Sequence, residues 1–312
     1  MSPSDLTDGL DAGRRLDDIR IRDPFILTDP DRGEYYLYGT TDRDPWSAPG
    51  IGFDCYRSSD LRRWSGPFPA FRPPSGFWAT GPFWAPEVYA WEDRFVMLAT
   101  FAGPYSSRRS QVLVASEPGG PFEPWGSGPI TPPGWHCLDA SLHMDNSGDP
   151  WIIFCHEWTQ IRDGAIVAQR VRADLGAPAG EPAVLFHASD ASWAIPIESP
   201  DGERAWVTDG PFLHRLRSGA LIMIWSSVGE HGYALGVARS VSGDVLGPWV
   251  QEPVPLWTSD GGHGMITRTL EGRLILVLHQ PNTTPMERAE MTEITESATS
   301  IRLLPRAVNS RF

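Results

Sequence analysis

The chain has 312 residues, 41% of them apolar and 11% aromatic, with 14 tryptophans, 31 glycines and 30 prolines. That is enough to bury a sizeable core, and it is a strand-and-turn composition rather than a helical or disordered one. The formal net charge of −13 lacks the basic footprint that draws a protein to phosphate backbones or anionic membranes, so no nucleic-acid or membrane partner is expected and a neutral substrate fits.

From the N-terminus, the polar stretch Met1-Ser2-Pro3-Ser4-Asp5 has no apolar core after a basic start, so no secretion signal is read and a cytoplasmic location is expected. No apolar run approaches the ~20 residues of a membrane-spanning helix. Residues 1–18 read as an arm or cap. Residues 19–312 carry no linker, charge block or low-complexity segment and read as one domain. Cys55, Cys137 and Cys155 are odd in number and have no metal-site spacing, which predicts buried free thiols.

Five stretches then repeat one pattern. Their openings are Asp23-Pro24-Phe25-Ile26, Ala85-Pro86-Glu87-Val88, Asp139-Ala140-Ser141-Leu142, Asp209-Gly210-Pro211-Phe212 and His263-Gly264-Met265-Ile266, spaced by 62, 54, 70 and 54 residues. A short polar turn follows each opening, often with the Gly or Asn that tight hairpins need. Next comes an apolar run: Tyr35–Tyr38, Phe95–Leu98, Trp151–Phe154, Leu221–Trp225 and Leu274–Leu278. A third strand is predicted over Phe53–Arg57, Gln111–Ala115, Ile166–Arg170 and Tyr233–Ala238. Gly-Pro-aromatic corners at Gly66, Gly120 and Gly247 suit an outer rim, because proline lacks a donor for the ladder. Five units of three or four strands predict an all-β, five-bladed β-propeller. The competing fold is a β-sandwich with look-alike hairpins. A scaffold of the WD type is excluded, since its repeats run at ~40–45 residues with a Trp-Asp signature.

In a propeller the inner strands line the axis, so Asp23, Asp139, Asp209 and His263 are expected to converge at its mouth, with Ala85 in the remaining blade. A lone Asp before Pro or Gly usually ties down a turn. Three at matching repeat positions point instead to shifted pKa values, a bound cation or catalysis. Converging carboxyl groups are what glycoside hydrolysis uses: one protonates the leaving oxygen, another activates water, and a third charge keeps the acid protonated. Trp84 and Trp158 are candidate stacking platforms for a sugar, set against the plainer reading of each as core.

Those motifs, with Trp84-Ala85-Pro86-Glu87, Cys155-His156-Glu157-Trp158 and Gly262-His263-Gly264, resemble the blade motifs of glycoside hydrolase family 43, over about residues 19–280. The resemblance implies a five-bladed propeller that removes arabinofuranose or xylose units with inversion. It implies Asp23 as general base, Asp139 as the aspartate that tunes and orients the acid, and Asp209 at the acid position. It implies His263 as a channel histidine holding water or a metal ion, often calcium; no other cofactor is implied. The family usually carries Glu where this chain has Asp209, about 1.3–1.5 Å shorter in reach, a distance over which misplacement can cost about 100-fold in rate. Glu87 and Glu157 are therefore alternative acids and candidate substrate contacts. The expected activity is release of terminal α-L-arabinofuranose, with β-D-galactofuranose or β-xylose as alternative substrates. A non-catalytic sugar-binding propeller is the alternative from another class.

Overall fold

The structure is a computed structural model that describes residues 13–104 and 107–305. Of the expected N-terminal arm, residues 1–12 lie outside the described residues. Arg14–Arg15 (β1) add a short strand to the outer edge of the first blade.

Five antiparallel sheets follow one another along the chain. The first blade contains β2 (Arg22–Asp29), β3 (Glu34–Thr40), β4 (Phe53–Ser58) and β5 (Arg63–Phe71), ordered β1-β5-β4-β3-β2. The second is β6 (Phe83–Trp91), β7 (Arg94–Ala102), β8 (Arg108–Ala115) and β9 (Glu123–Pro124). The third is β10 (Cys137–Met144), β11 (Pro150–His156), β12 (Ala165–Arg170) and β13 (Ala183–His187). A two-stranded hairpin, β14 (Ile197–Glu198) with β15 (Arg204–Ala205), precedes the fourth blade. That blade is β16 (Asp209–Arg215), β17 (Leu221–Gly229), β18 (Gly232–Ser240) and β19 (Trp249–Gln251). The fifth is β20 (Gly262–Arg268), β21 (Leu274–Gln280), β22 (Arg288–Glu296) and β23 (Ile301–Leu303).

The inner strands pack in a closed ring: β2 lies against both β6 and β20, and β10 and β16 complete the circuit. Closure is hydrogen-bonded too, since Ile21 N–H donates to the Glu287 carbonyl at 3.2 Å. This is the five-bladed β-propeller expected from the repeats. The predicted apolar runs are the second strands, and in the third and fifth blades they are buried almost throughout. Burial on both faces is why they read as unbroken hydrophobic stretches rather than alternating ones. The core is divided among the blade interfaces. The largest cluster joins Phe53, Phe71, Phe83 and Phe101, whose rings meet at centroid distances of 4.9–6.4 Å.

The third strand of the fifth blade is absent from the sequence expectation. Its sequence, Arg288-Ala289-Glu290-Met291-Thr292-Glu293, alternates polar with apolar up to Met291 rather than forming an unbroken apolar run, and its buried positions include the polar Thr292 beside Met291. All three cysteines are buried and free. Among the described residues no helix is long and apolar enough to cross a membrane.

Candidate active site

Every inner strand has the same defect near its start. The pairing register slips between Arg22 and Phe25, Trp84 and Glu87, Leu138 and Ser141, Asp209 and Phe212, and Gly262 and Met265. Within each bulge one residue has positive φ: Asp23 (51°), Ala85 (49°), Asp139 (56°), Gly210 (46°) and His263 (50°). Such bulges turn a side chain off the sheet and toward the axis. Four of the five are non-glycine residues in a sparsely populated conformation, strain of the kind that gathers at functional sites. The fifth must be glycine, because a Cβ on Gly210 would sit 2.8 Å from the His263 ring.

This corrects one expectation. Asp209 is not the equivalent of Asp23 and Asp139; Gly210 is. Asp209 stands one residue earlier, nearer the mouth, and its side chain is 24% exposed against 7% for Asp23 and 5% for Asp139. It is the outermost of the three carboxyls.

The backbone N–H groups of these turns join the blades. Asp23 N–H donates to His279 Nδ1 (3.2 Å), Ala85 N–H to Thr40 Oγ1 (2.9 Å), Asp139 N–H to Thr100 Oγ1 (2.8 Å) and His263 N–H to Ser226 Oγ (2.8 Å). Each acceptor lies on the second strand of the preceding blade. The fifth N–H, of Gly210, instead donates to Asp139 Oδ2 at 3.2 Å.

The three carboxyls meet on one nitrogen. His263 Nδ1 lies 3.2 Å from Asp23 Oδ1, 3.6 Å from Asp209 Oδ1 and 3.9 Å from Asp139 Oδ2. Thr40 Oγ1 donates to Asp23 Oδ2 at 2.7 Å, and Tyr233 OH donates to Asp209 Oδ2 at 2.6 Å. Burial alone would favour a neutral His263, but the charges of Asp23, Asp139 and Asp209 raise its pKa to about 10, so the ring is cationic at neutral pH. Burial and the neighbouring Asp209 charge push Asp139 well above the usual carboxylate range. Burial works against ionised Asp209 too, yet hydrogen bonds from Asp139, His263 and Tyr233 hold it low. The Asp139–Asp209 pair thus keeps one proton that its two members share. Burial depresses His279 to about 4, so it is neutral, and accepting the Asp23 N–H at Nδ1 leaves its Nε2–H for Asn282 Oδ1 (3.2 Å).

Comparison with known proteins identifies the family. The family model for "Glycosyl hydrolases family 43" matches residues 18–299. The chain belongs to glycoside hydrolase family 43. It is 42% identical to a structure described as an endo-arabinase from Bacteroides thetaiotaomicron, covering 91% of this chain and 98% of that one with a TM-score of 0.85. An endo-1,4-beta-xylanase from the same organism (24% identity, 92% and 95% covered, TM-score 0.74) and an alpha-L-arabinofuranosidase from Lactobacillus brevis (18%, 96% and 100%, TM-score 0.71) share the fold. No curated protein matches the sequence significantly.

The other anticipated residues of this family 43 hydrolase fall into different places. Glu87 comes just after its bulge, level with Phe25, Ser141, Phe212 and Met265, and is buried, with the His263 charge acting on it. Tyr89 OH donates to it, and burial raises it to about 7. Glu157 follows the end of β11, buried and ion-paired to Arg108, whose guanidinium lies over the Trp84 ring. Neither glutamate joins the cluster on His263. Trp84 is 9% exposed and its indole N–H is committed to the Pro45 carbonyl at 2.6 Å, so little of its face is open to a sugar. Trp158 is half-buried at the start of a single helical turn, Trp158–Ile161.

Sequence reasoning missed Tyr233, His279, Arg22 and Trp46. Tyr233 and His279 lie in predicted or apolar strands and gave no polar signal. Arg22 is buried immediately before Asp23, hydrogen-bonded to Glu287 at 3.0 Å, with Asp23, Tyr233 and Asp209 all acting on its charge.

For a metal, Asp139, Asp209 and His263 offer ligand atoms within 4.8 Å of one another. Calcium takes six to eight oxygen ligands, and this set brings two carboxylates and a ring nitrogen. The carboxylate oxygens of Asp139 and Asp209 fit a calcium ion that keeps most of its shell as water, with the protonated His263 ring reached through that water rather than as a direct ligand.

Proposed function

We propose that this hydrolase releases single terminal α-L-arabinofuranose units from oligo- or polysaccharides with inversion. The observation that carries the reading is the convergence of Asp23, Asp139 and Asp209 on His263 Nδ1 at the mouth of the axis. Two carboxyl groups suffice for this chemistry, and neither needs a cofactor.

Asp23 acts as general base. Its carboxylate is fixed from two sides, by the Thr40 hydroxyl and by the His263 imidazolium, and it takes a proton from water as that water attacks the anomeric carbon. Asp209 acts as general acid. It is the carboxyl nearest the mouth, and the proton it shares with Asp139 can pass to the leaving oxygen as the glycosidic bond breaks. Asp139 keeps that proton in the pair at neutral pH and, through Gly210 N–H, is tied to the backbone that carries Asp209. His263 spreads positive charge under all three. A calcium ion held by the Asp139 and Asp209 oxygens, with His263 reached through water, would supply fixed positive charge at the same point.

The Asp23 and Asp209 oxygens, both on Nδ1, are at most about 7 Å apart, which brings both carboxyls within reach of one glycosidic bond. At 24% exposure, the Asp209 side chain is the least buried of the three. The exo reading is supported by two long segments at the face where the inner strands begin, 41–52 after β3 and 188–208 before β16, the latter carrying β14 and β15. The arabinose reading draws support from the relatives described as an endo-arabinase and an alpha-L-arabinofuranosidase. The first of these also favours a second reading, internal cleavage of arabinan.

The test is hydrolysis of α-L-arabinofuranosides, β-D-galactofuranosides and β-D-xylosides, each as an aryl glycoside and a natural oligosaccharide, with the product anomer followed by NMR. Arabinose released alone, in the inverted configuration, supports the proposal. Oligosaccharide products from arabinan point to internal cleavage. Turnover of only galactofuranosides or xylosides overturns the substrate.

A further inference from the structure

We propose that Trp46 is the stacking platform for the sugar on the leaving-group side of the scissile bond; this rests on the arabinofuranoside reading above. Among the described residues, which include all 14 tryptophans, Trp46 alone is mostly exposed, at 57%. An exposed indole on a loop is ordinarily unremarkable, since single surface apolar residues are normal. This one is fixed on several sides. Its Nε1–H donates to Thr284 Oγ1 at 3.1 Å, its backbone N–H to Asp44 Oδ1 at 3.0 Å, and the Arg22 guanidinium lies 4.7 Å from the ring centroid. The preceding residue, Pro45, accepts the indole N–H of buried Trp84. The tryptophan nominated from the sequence therefore anchors the loop, and the loop presents the other one.

The place of Trp46 sets its role. It sits on the segment that leaves β3 just after Thr40, which donates to Asp23, and its ring lies against Arg22, the residue before Asp23. Arg22 directly precedes Asp23 and carries the ring on its buried guanidinium, which Glu287 holds from behind. With one face on Arg22, the indole turns its remaining surface outward. A sugar ring whose anomeric carbon lies over Asp23 and Asp209 fills the axis itself, so the platform beside it receives the next unit. Indole offers a rigid apolar face at little entropic cost, matched to the C–H face of a furanose.

The experiment compares wild type, Trp46→Ala and Trp46→Phe by steady-state kinetics on α-1,5-linked arabinotriose and by competitive inhibition with free arabinose, which occupies only the cleaved-sugar position. Aromatic contacts of this kind are worth about 0.5–1.5 kcal/mol beyond burial, so Trp46→Ala should raise KM for arabinotriose up to roughly tenfold, lower kcat much less, and leave the arabinose inhibition constant unchanged. Trp46→Phe should recover most of the loss. Equal weakening of arabinotriose and arabinose, or no change in either, overturns the proposal. Wild-type protein that cleaves neither arabinotriose nor any arabinofuranoside overturns the substrate reading, and this proposal falls with it. Thermal midpoints within error of wild type confirm that the variants are folded.

Discussion

Four of the five blade junctions differ from the remaining one in a single hydrogen bond. Between the first and second blades, the second and third, the fourth and fifth, and the fifth and first, the N–H of the bulged residue is accepted by a side chain of the neighbouring second strand: Thr40, Thr100, Ser226 and His279. Between the third and fourth, the matching strand position is Cys155, level with the start of the β10 bulge. Its thiol makes a weak acceptor, and the Gly210 N–H goes to the Asp139 carboxylate. Where scaffold and chemistry are separate, a hydroxyl or imidazole closes the ring. Where they coincide, a reactive carboxyl does, and its partner Asp209 stands on the residue just before Gly210. In the proposed mechanism, the third-to-fourth junction is where proton donation is built, and the fifth-to-first junction is where the base is held.

The sharpest way to separate the two junctions is to remove one carboxyl from each. Asp23→Asn should lower turnover of every glycoside by about 10²–10⁴-fold, the usual worth of a general base, because no leaving group makes water a better nucleophile. Asp209→Asn should cost a natural oligosaccharide a comparable factor and an aryl glycoside with a good leaving group far less, since that bond breaks with little proton transfer. Equal losses on both substrates in the Asp209 variant would remove it as the acid, and wild-type rates in the Asp23 variant would remove Asp23 as the base.

Proton linkage gives the next effect. The folded pKa of His263, about 10, lies above its ordinary 6.5. Its contribution to stability is therefore full below pH 6.5 and is lost as pH rises toward 10. Asp139, also raised, acts in the same direction. His279, depressed to about 4, contributes above pH 6.5 and is lost as pH falls toward 4. The thermal midpoint should decline steadily from pH 7 to pH 10. A flat profile there would mean that His263 is neutral, and that the charge balancing three carboxyls comes from elsewhere. Chelation separates the alternatives: EDTA should leave activity within a few-fold of wild type if the imidazolium supplies that charge, and a large loss would assign it to a bound cation.

Much of this architecture was legible because burial on both faces leaves unbroken apolar runs, and those runs recur with the polar openings in register. What failed to show was one-residue geometry. Asp209-Gly210-Pro211 looks like Asp23-Pro24 and Asp139-Ala140, and only the backbone reveals that the glycine, not the aspartate, takes the bulge. Trp84 drew attention by lying next to an opening, yet that adjacency puts it in the wall. Trp46 lies in a Pro- and Gly-rich loop with no periodicity to mark it. Tyr233 counted as one more strand residue because its hydroxyl meets Asp209 only through folding.

A structural junction can be broken as a control. Thr100→Val removes the acceptor for Asp139 N–H and leaves a buried donor unpaired, a loss of about 1–3 kcal/mol in stability, read as a lower midpoint in urea. Its effect should exceed that of Ser65→Ala, which removes an exposed contact with the Arg57 carbonyl at 3.3 Å. Equal effects would mean that the inter-blade bonds do not hold the ring.

The smallest change addresses the exceptional junction directly. Cys155→Ser places a hydroxyl where the other junctions have a strong acceptor. The Gly210 N–H then has two choices, and each outcome reads differently. A hydrogen bond donated to a carboxylate favours its charged form, so the present arrangement holds the pKa of the Asp139–Asp209 pair lower than it would otherwise be. If the introduced hydroxyl draws the N–H away, that pKa rises, and the alkaline limb of kcat/KM, where the shared proton is lost, should move to higher pH, with little change in the midpoint of unfolding. An unmoved limb would show that Gly210 keeps its bond to Asp139 even when offered a hydroxyl, and that the thiol is not what assigns this junction to chemistry.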